Sequence, residues 1–180
     1  MTMYSSISMA SRRRFVVLAI AAMFQAPSWA ADFREISWDD LIPKGWDPMK
    51  SFKDMGAVSD FDPRAQKMYD RLREIWDNAP TVPSLAGQPI RLAGYLVPLD
   101  EAKDGIREFL LVPYFGACIH TPPPPANQIV HVRTQKPLTG LRTMDAVWVS
   151  GTLGLDRSDS AMGTSGYTMI ASAVTPYKRK

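Results

Sequence analysis

Five short runs rich in Val, Ile, Leu and aromatic residues fill the second half of the chain and leave few architectures open. They cover residues 90–99, 106–112, 128–133, 146–155 and 167–174. Each has strand length, and turn formers separate them: Asp104-Gly105 between the first two, then Gly140 and the stretch 156–166. Gly94 and Gly151 fall inside strands, where a missing side chain permits a bulge or a tight bend. A sheet of short strands escapes exposed edges by closing on itself. The spacing therefore predicts a mainly β chain whose residues 87–177 form a small five-stranded OB-like barrel, with an open sandwich as the alternative.

Residues 31–86 read as an N-terminal extension with one amphipathic helix. Ser37 and Asp40 can cap a short first turn, and Trp38, Leu41 and Trp46 are expected to pack on the main body. A firmer helix starts at Asp62-Pro63, a cap followed by the residue best suited to a first helical position. Ala65, Met68, Tyr69, Leu72, Ile75 and Trp76 recur at helical spacing and predict a docking face. Pro80 and Pro83 stop the helix.

Before residue 31 the pattern is that of an export signal: Arg12, Arg13 and Arg14, an apolar run from Phe15 to Phe24, then Pro27 and the small residues of Ser28-Trp29-Ala30. The run is too short for a stop-transfer helix. Residues 1–30 are thus expected to be a signal peptide cleaved before Ala31, placing the working domain in the periplasm with no membrane span. General secretion is the favoured route, and the twin-arginine route, suggested by the arginine cluster, is the alternative. Removing the signal changes the charge argument. The chain carries 21 basic and 18 acidic residues, and residues 1–30 hold 3 basic and none acidic, leaving 18 against 18. A neutral mature chain disfavours nucleic acid as a partner.

One segment concentrates soft, reactive side chains. The chain has one cysteine and two histidines, and Cys118, His120 and His131 fall within 14 residues. A lone cysteine in an exported protein has no internal disulfide partner. An extended Cys118–His120 stretch would point both side chains to one face, while His131 alternates with apolar Val130 and Val132. The four prolines 122–125 form a stiff connector that places Asn127 and Gln128. Three readings stand side by side. Cys118 can be buried and structural. With His120 and His131 it can ligate zinc, or copper if Met144 or Met169 joins. Or it can be a nucleophile activated by histidine and oriented by Asn127.

The stretch Phe109-Leu-Leu-Val-Pro-Tyr-Phe-Gly-Ala-Cys-Ile-His-Thr-Pro-Pro-Pro-Pro-Ala-Asn-Gln128 resembles the signature of an uncharacterised bacterial exported family, domain-of-unknown-function family 3299. Arg91-Leu-Ala-Gly-Tyr-Leu-Val-Pro-Leu99 and Val147-Trp-Val-Ser-Gly-Thr-Leu153 are similar to that family's other blocks. The resemblance implies a periplasmic binding or accessory protein linked to an envelope ABC-type transporter and to zinc supply. It marks Cys118, His120, Asn127 and Gln128 as candidate binding residues; His131 lies outside the motif. The expected function is therefore soluble, metal-linked service to an envelope transport system, with zinc as the expected metal. A thiol-dependent enzyme using Cys118 and a structural interaction module are the alternatives.

Overall fold

Alternation along the strands decides which side chains enter the core. The computed structural model describes residues 32–50, 62–100, 104–119 and 123–178; the expected signal peptide and His120 lie outside them. A two-residue strand β1 (Arg34–Glu35) and a 3-10 turn (Trp38–Leu41) precede helix α1 (Pro63–Asp77). Then follow β2 (Pro89–Pro98), β3 (Ile106–Val112), β4 (Val130–Leu138), β5 (Ala146–Gly154), β6 (Ser158–Ser160), β7 (Gly163–Ser165) and β8 (Tyr167–Pro176).

Five of these strands close into a barrel in the order β2-β3-β4-β8-β5, with β5 returning to β2. The β4–β8 pairing is parallel and the others antiparallel, as in an OB-like barrel. Ile90, Leu92, Phe109, Leu111, Val147, Val149 and Leu153 point inward with Tyr167 and Met169, all but excluded from solvent. Each fully buried aliphatic or aromatic side chain here contributes about 1.5–3 kcal/mol relative to exposure. The strand glycines serve closure as expected. A side chain at Gly94 would lie 2.8 Å from Val112 O, and one at Gly151 would lie 2.3 Å from Ile170 O, beside the register shift between Ser150 and Gly151.

The extension is strapped to the barrel by hydrogen bonds to buried groups. Tyr167 Oη donates to Leu41 O (2.8 Å) and accepts from Val82 N (2.7 Å). Trp38 Nε1 donates to Ala93 O (2.7 Å). The capping pair holds as read: the Ser37 amide and hydroxyl both donate to Asp40, which keeps that carboxyl below its ordinary range. Asp62 likewise caps α1 by accepting from Arg64 N (2.8 Å). At the other end of the helix, Arg157 donates to Asp77 O and reaches Asn78 Oδ1 (3.4 Å), setting a cation at the negative end of the helix dipole.

The stretch 156–166, expected to be a plain loop, holds the hairpin β6–β7, a sheet of its own paired from Ser158↔Ser165 to Ser160↔Gly163. Its polar Ser, Asp, Thr and Gly residues lack the apolar alternation that marks the other strands. The hairpin packs against α1.

Candidate functional site: a cleft beside Cys118

The outward faces of β2 and β3 are not left to solvent. Val97, Leu110 and Val112 form a second apolar cluster with Ala117 and Ile129 from the β3–β4 connection, and Cys118, Met144 and Met162 pack at its margin. That connection folds back over the barrel wall. Gly116 (φ 88°) and Cys118 (φ 64°) both take left-handed backbone, so the chain turns where an extended run was expected. The alternation rule that would place Cys118 and His120 on one face therefore does not operate at Cys118. Gly116 N donates to Met144 Sδ (3.2 Å), tying this turn to the β4–β5 loop.

Cys118 lines a cleft of about 710 Å³ between α1 and the β6–β7 hairpin. Tyr69, Arg73 and Trp76 of the helix form one wall; Met162 and Gly163 of the hairpin form the other, and Pro123 also borders the cleft. Tyr69 is 52% exposed. Thus the helical face read from sequence docks only in part: Ala65 is buried, Met68, Leu72, Ile75 and Trp76 are half-buried, and Tyr69 is exposed. Gly163 has φ +136°, and a side chain there would lie 2.9 Å from Pro123 Cβ. Only glycine lets the hairpin sit so close to the proline segment. Trp76 Nε1 is buried without a hydrogen-bond partner. Burial pushes the Cys118 thiol up to about 11. At neutral pH the group is a thiol.

His131 is placed by β4 with Val130 and Val132 in the barrel interior, as the alternation requires, so its ring lies on the outer side. Even there it is only 4% exposed. Nε2 lies 3.3 Å from Glu108 Oε2, within ion-pair range but not aligned as a hydrogen bond, and Glu108 Oε1 lies 3.3 Å from Arg133 Nε. Burial, helped by the Arg133 charge, lowers the His131 pKa against the opposing pull of Glu108. Its surroundings favour a neutral ring.

The two motif amides act as fasteners. Asn127 Nδ2 donates to Pro80 O (3.0 Å), and Gln128 Nε2 donates to Trp38 O (2.9 Å), so both grip the N-terminal extension. Asn127 Oδ1 is buried with no hydrogen-bond partner. Met169 points into the barrel core, on the opposite side of the wall from His131. Among the described residues no three His, Cys, Asp or Glu side chains gather to hold a metal ion.

The family resemblance read from the sequence is borne out. The model of the family described as "Protein of unknown function (DUF3299)" matches residues 38–176. The chain belongs to this family. The crystal structure of a DUF3299 family protein from Pseudomonas aeruginosa is similar over 82% of this chain and 98% of that one, at 38% identity and a TM-score of 0.66. No curated protein matches. The DUF3299 match spans α1, the Cys118 turn and the hairpin, so both walls of the cleft belong to the family domain. Sequence reasoning placed Cys118 in the informative segment but missed Met162 and Gly163. Their only sequence signal was a glycine in a polar loop.

Proposed function

We propose that this DUF3299 protein is a soluble binding or accessory protein of the bacterial cell envelope, exported through a signal at residues 1–30, whose ligand seat is the cleft beside Cys118. The observation that carries this reading is the cleft itself. Its volume of about 710 Å³ falls in the range of small-molecule sites, roughly 300–1,000 Å³, and it brings aromatic, thioether and thiol side chains from three separate segments together. The zinc-linked service to an ABC-type transport system implied by the family resemblance is kept as its biological setting. Within the described residues Cys118 gains no ligand cluster, so a zinc site would have to draw on His120. A nucleophilic role for Cys118 is less well supported, because a thiol raised to about 11 is a weak source of thiolate.

Native mass spectrometry of the protein purified from the cell envelope tests the proposal, together with elemental analysis. A bound small molecule or metal that is lost on Met162→Glu is the expected result. Protein that carries neither, with Cys118 labelled at one rate before and after incubation with envelope extract, would sink it.

A further inference from the structure

The walls of the cleft say more about the ligand than its volume does. Tyr69 and Trp76 are seven residues apart on α1, two turns along one face, so two aromatic rings border the same space. Opposite them stands Met162, whose polarisable sulfur favours the edge of an aromatic ring. Pro123 adds a rigid apolar surface. The charged groups that border the cleft are Asp70 and Asp77 against Arg73, one negative charge in excess, which disfavours an anion; Asp70 also accepts from Gln66 Nε2 (2.9 Å). The cysteine contributes an uncharged thiol rather than a fixed anion. Half of the Tyr69 surface is in water, and a flat ligand would cover it.

We infer that the cleft takes a small aromatic molecule rather than an anion. This rests on the reading of the cleft as the ligand seat and names the chemistry it selects. The probe is N-phenyl-1-naphthylamine, a neutral aromatic amine that fluoresces on entering apolar surroundings. Titrated into the full purified protein, it should bind saturably at one site. Tyr69→Ala and Met162→Glu, substitutions on opposite walls, should each weaken binding at least tenfold. Tyr177→Ala removes an exposed aromatic that stacks on Trp148 rather than bordering the cleft, and should leave binding unchanged. Thermal melting confirms that each variant is folded. Because Tyr69 is half exposed, its variant keeps the test sound if Met162→Glu fails to fold.

Equal binding by all variants would place the probe elsewhere and overturn the inference. A native adduct or zinc that depends on Met162 but is not displaced by the probe would keep the cleft as the seat and overturn only the aromatic class. No adduct and no cleft-dependent probe binding would end both readings together.

Discussion

Cys118 and His131, thirteen residues apart in sequence, have different physical fates. Cys118 sits in a left-handed turn at the edge of a cleft, and burial keeps its proton on. If the zinc reading is right, the bound thiolate is shielded, and adding a chelator should speed alkylation severalfold while releasing about one zinc per chain. Metal-free protein whose labelling ignores the chelator would remove zinc from the account. His131 gives a pH prediction instead. Its folded pKa lies below the ordinary histidine value, so the unfolded chain takes up the proton first. Its contribution is present above about pH 6.5 and is lost as pH falls through the folded pKa, at no more than about 1.4 kcal/mol per pH unit. Urea unfolding at pH 7.5 and pH 5 should show a loss of stability in the wild type that His131→Gln reduces. An equal loss in both would assign the effect to other groups.

At the scale of elements, the five barrel strands were legible because period-two burial is written directly into their side chains. Val147, Val149 and Leu153 of β5 enter the core, while Trp148, Ser150 and Thr152 do not. Helix α1 was legible from its Asp62-Pro63 start. The hairpin was not, because its strands are stabilised by backbone pairing and by packing on α1 and Pro123 rather than by a repeating apolar face. The cleft was illegible for the same reason: one of its walls had no pattern to read. Nor could spacing reveal the turn at Cys118, since an extended run and a left-handed turn can carry the same Cys-x-His text. The hairpin offers a direct check. Gly163→Ala adds a methyl group 2.9 Å from Pro123 at a positive φ, and should cost about 1 kcal/mol or more in chemical unfolding. Unchanged stability would mean that the hairpin is free to move away from the proline segment.

Across the whole molecule, the extension and the barrel are joined by a few well-placed polar contacts. Tyr167 is the main one, a fully buried ring whose hydroxyl satisfies a backbone donor at Val82 and a backbone acceptor at Leu41. Tyr167→Phe keeps the packing and leaves both backbone groups without their partner. The expected cost is about 1–3 kcal/mol, read as a lower urea midpoint with limited proteolysis appearing first in the extension. A variant as stable as wild type, with an equally resistant extension, would show that the strap does not depend on the Tyr167 hydroxyl.

β3 is clad on both sides, by the barrel interior at Phe109 and Leu111 and by the outer cluster at Leu110 and Val112. The part of the connection that carries Cys118 is anchored by the smaller of these two and by the contact of Gly116 N with Met144 Sδ, whereas Asn127 and Gln128 fasten its far end. The molecule should therefore keep two clocks. The outer cladding can lift and reseat many times while the barrel stays shut, because lifting it exposes few side chains and breaks no barrel pairing. A ligand bound beside Cys118 would slow the fast clock and leave the slow one untouched. Occupancy would then be recorded as a change of tempo in one loop, without a change in the shape of the barrel.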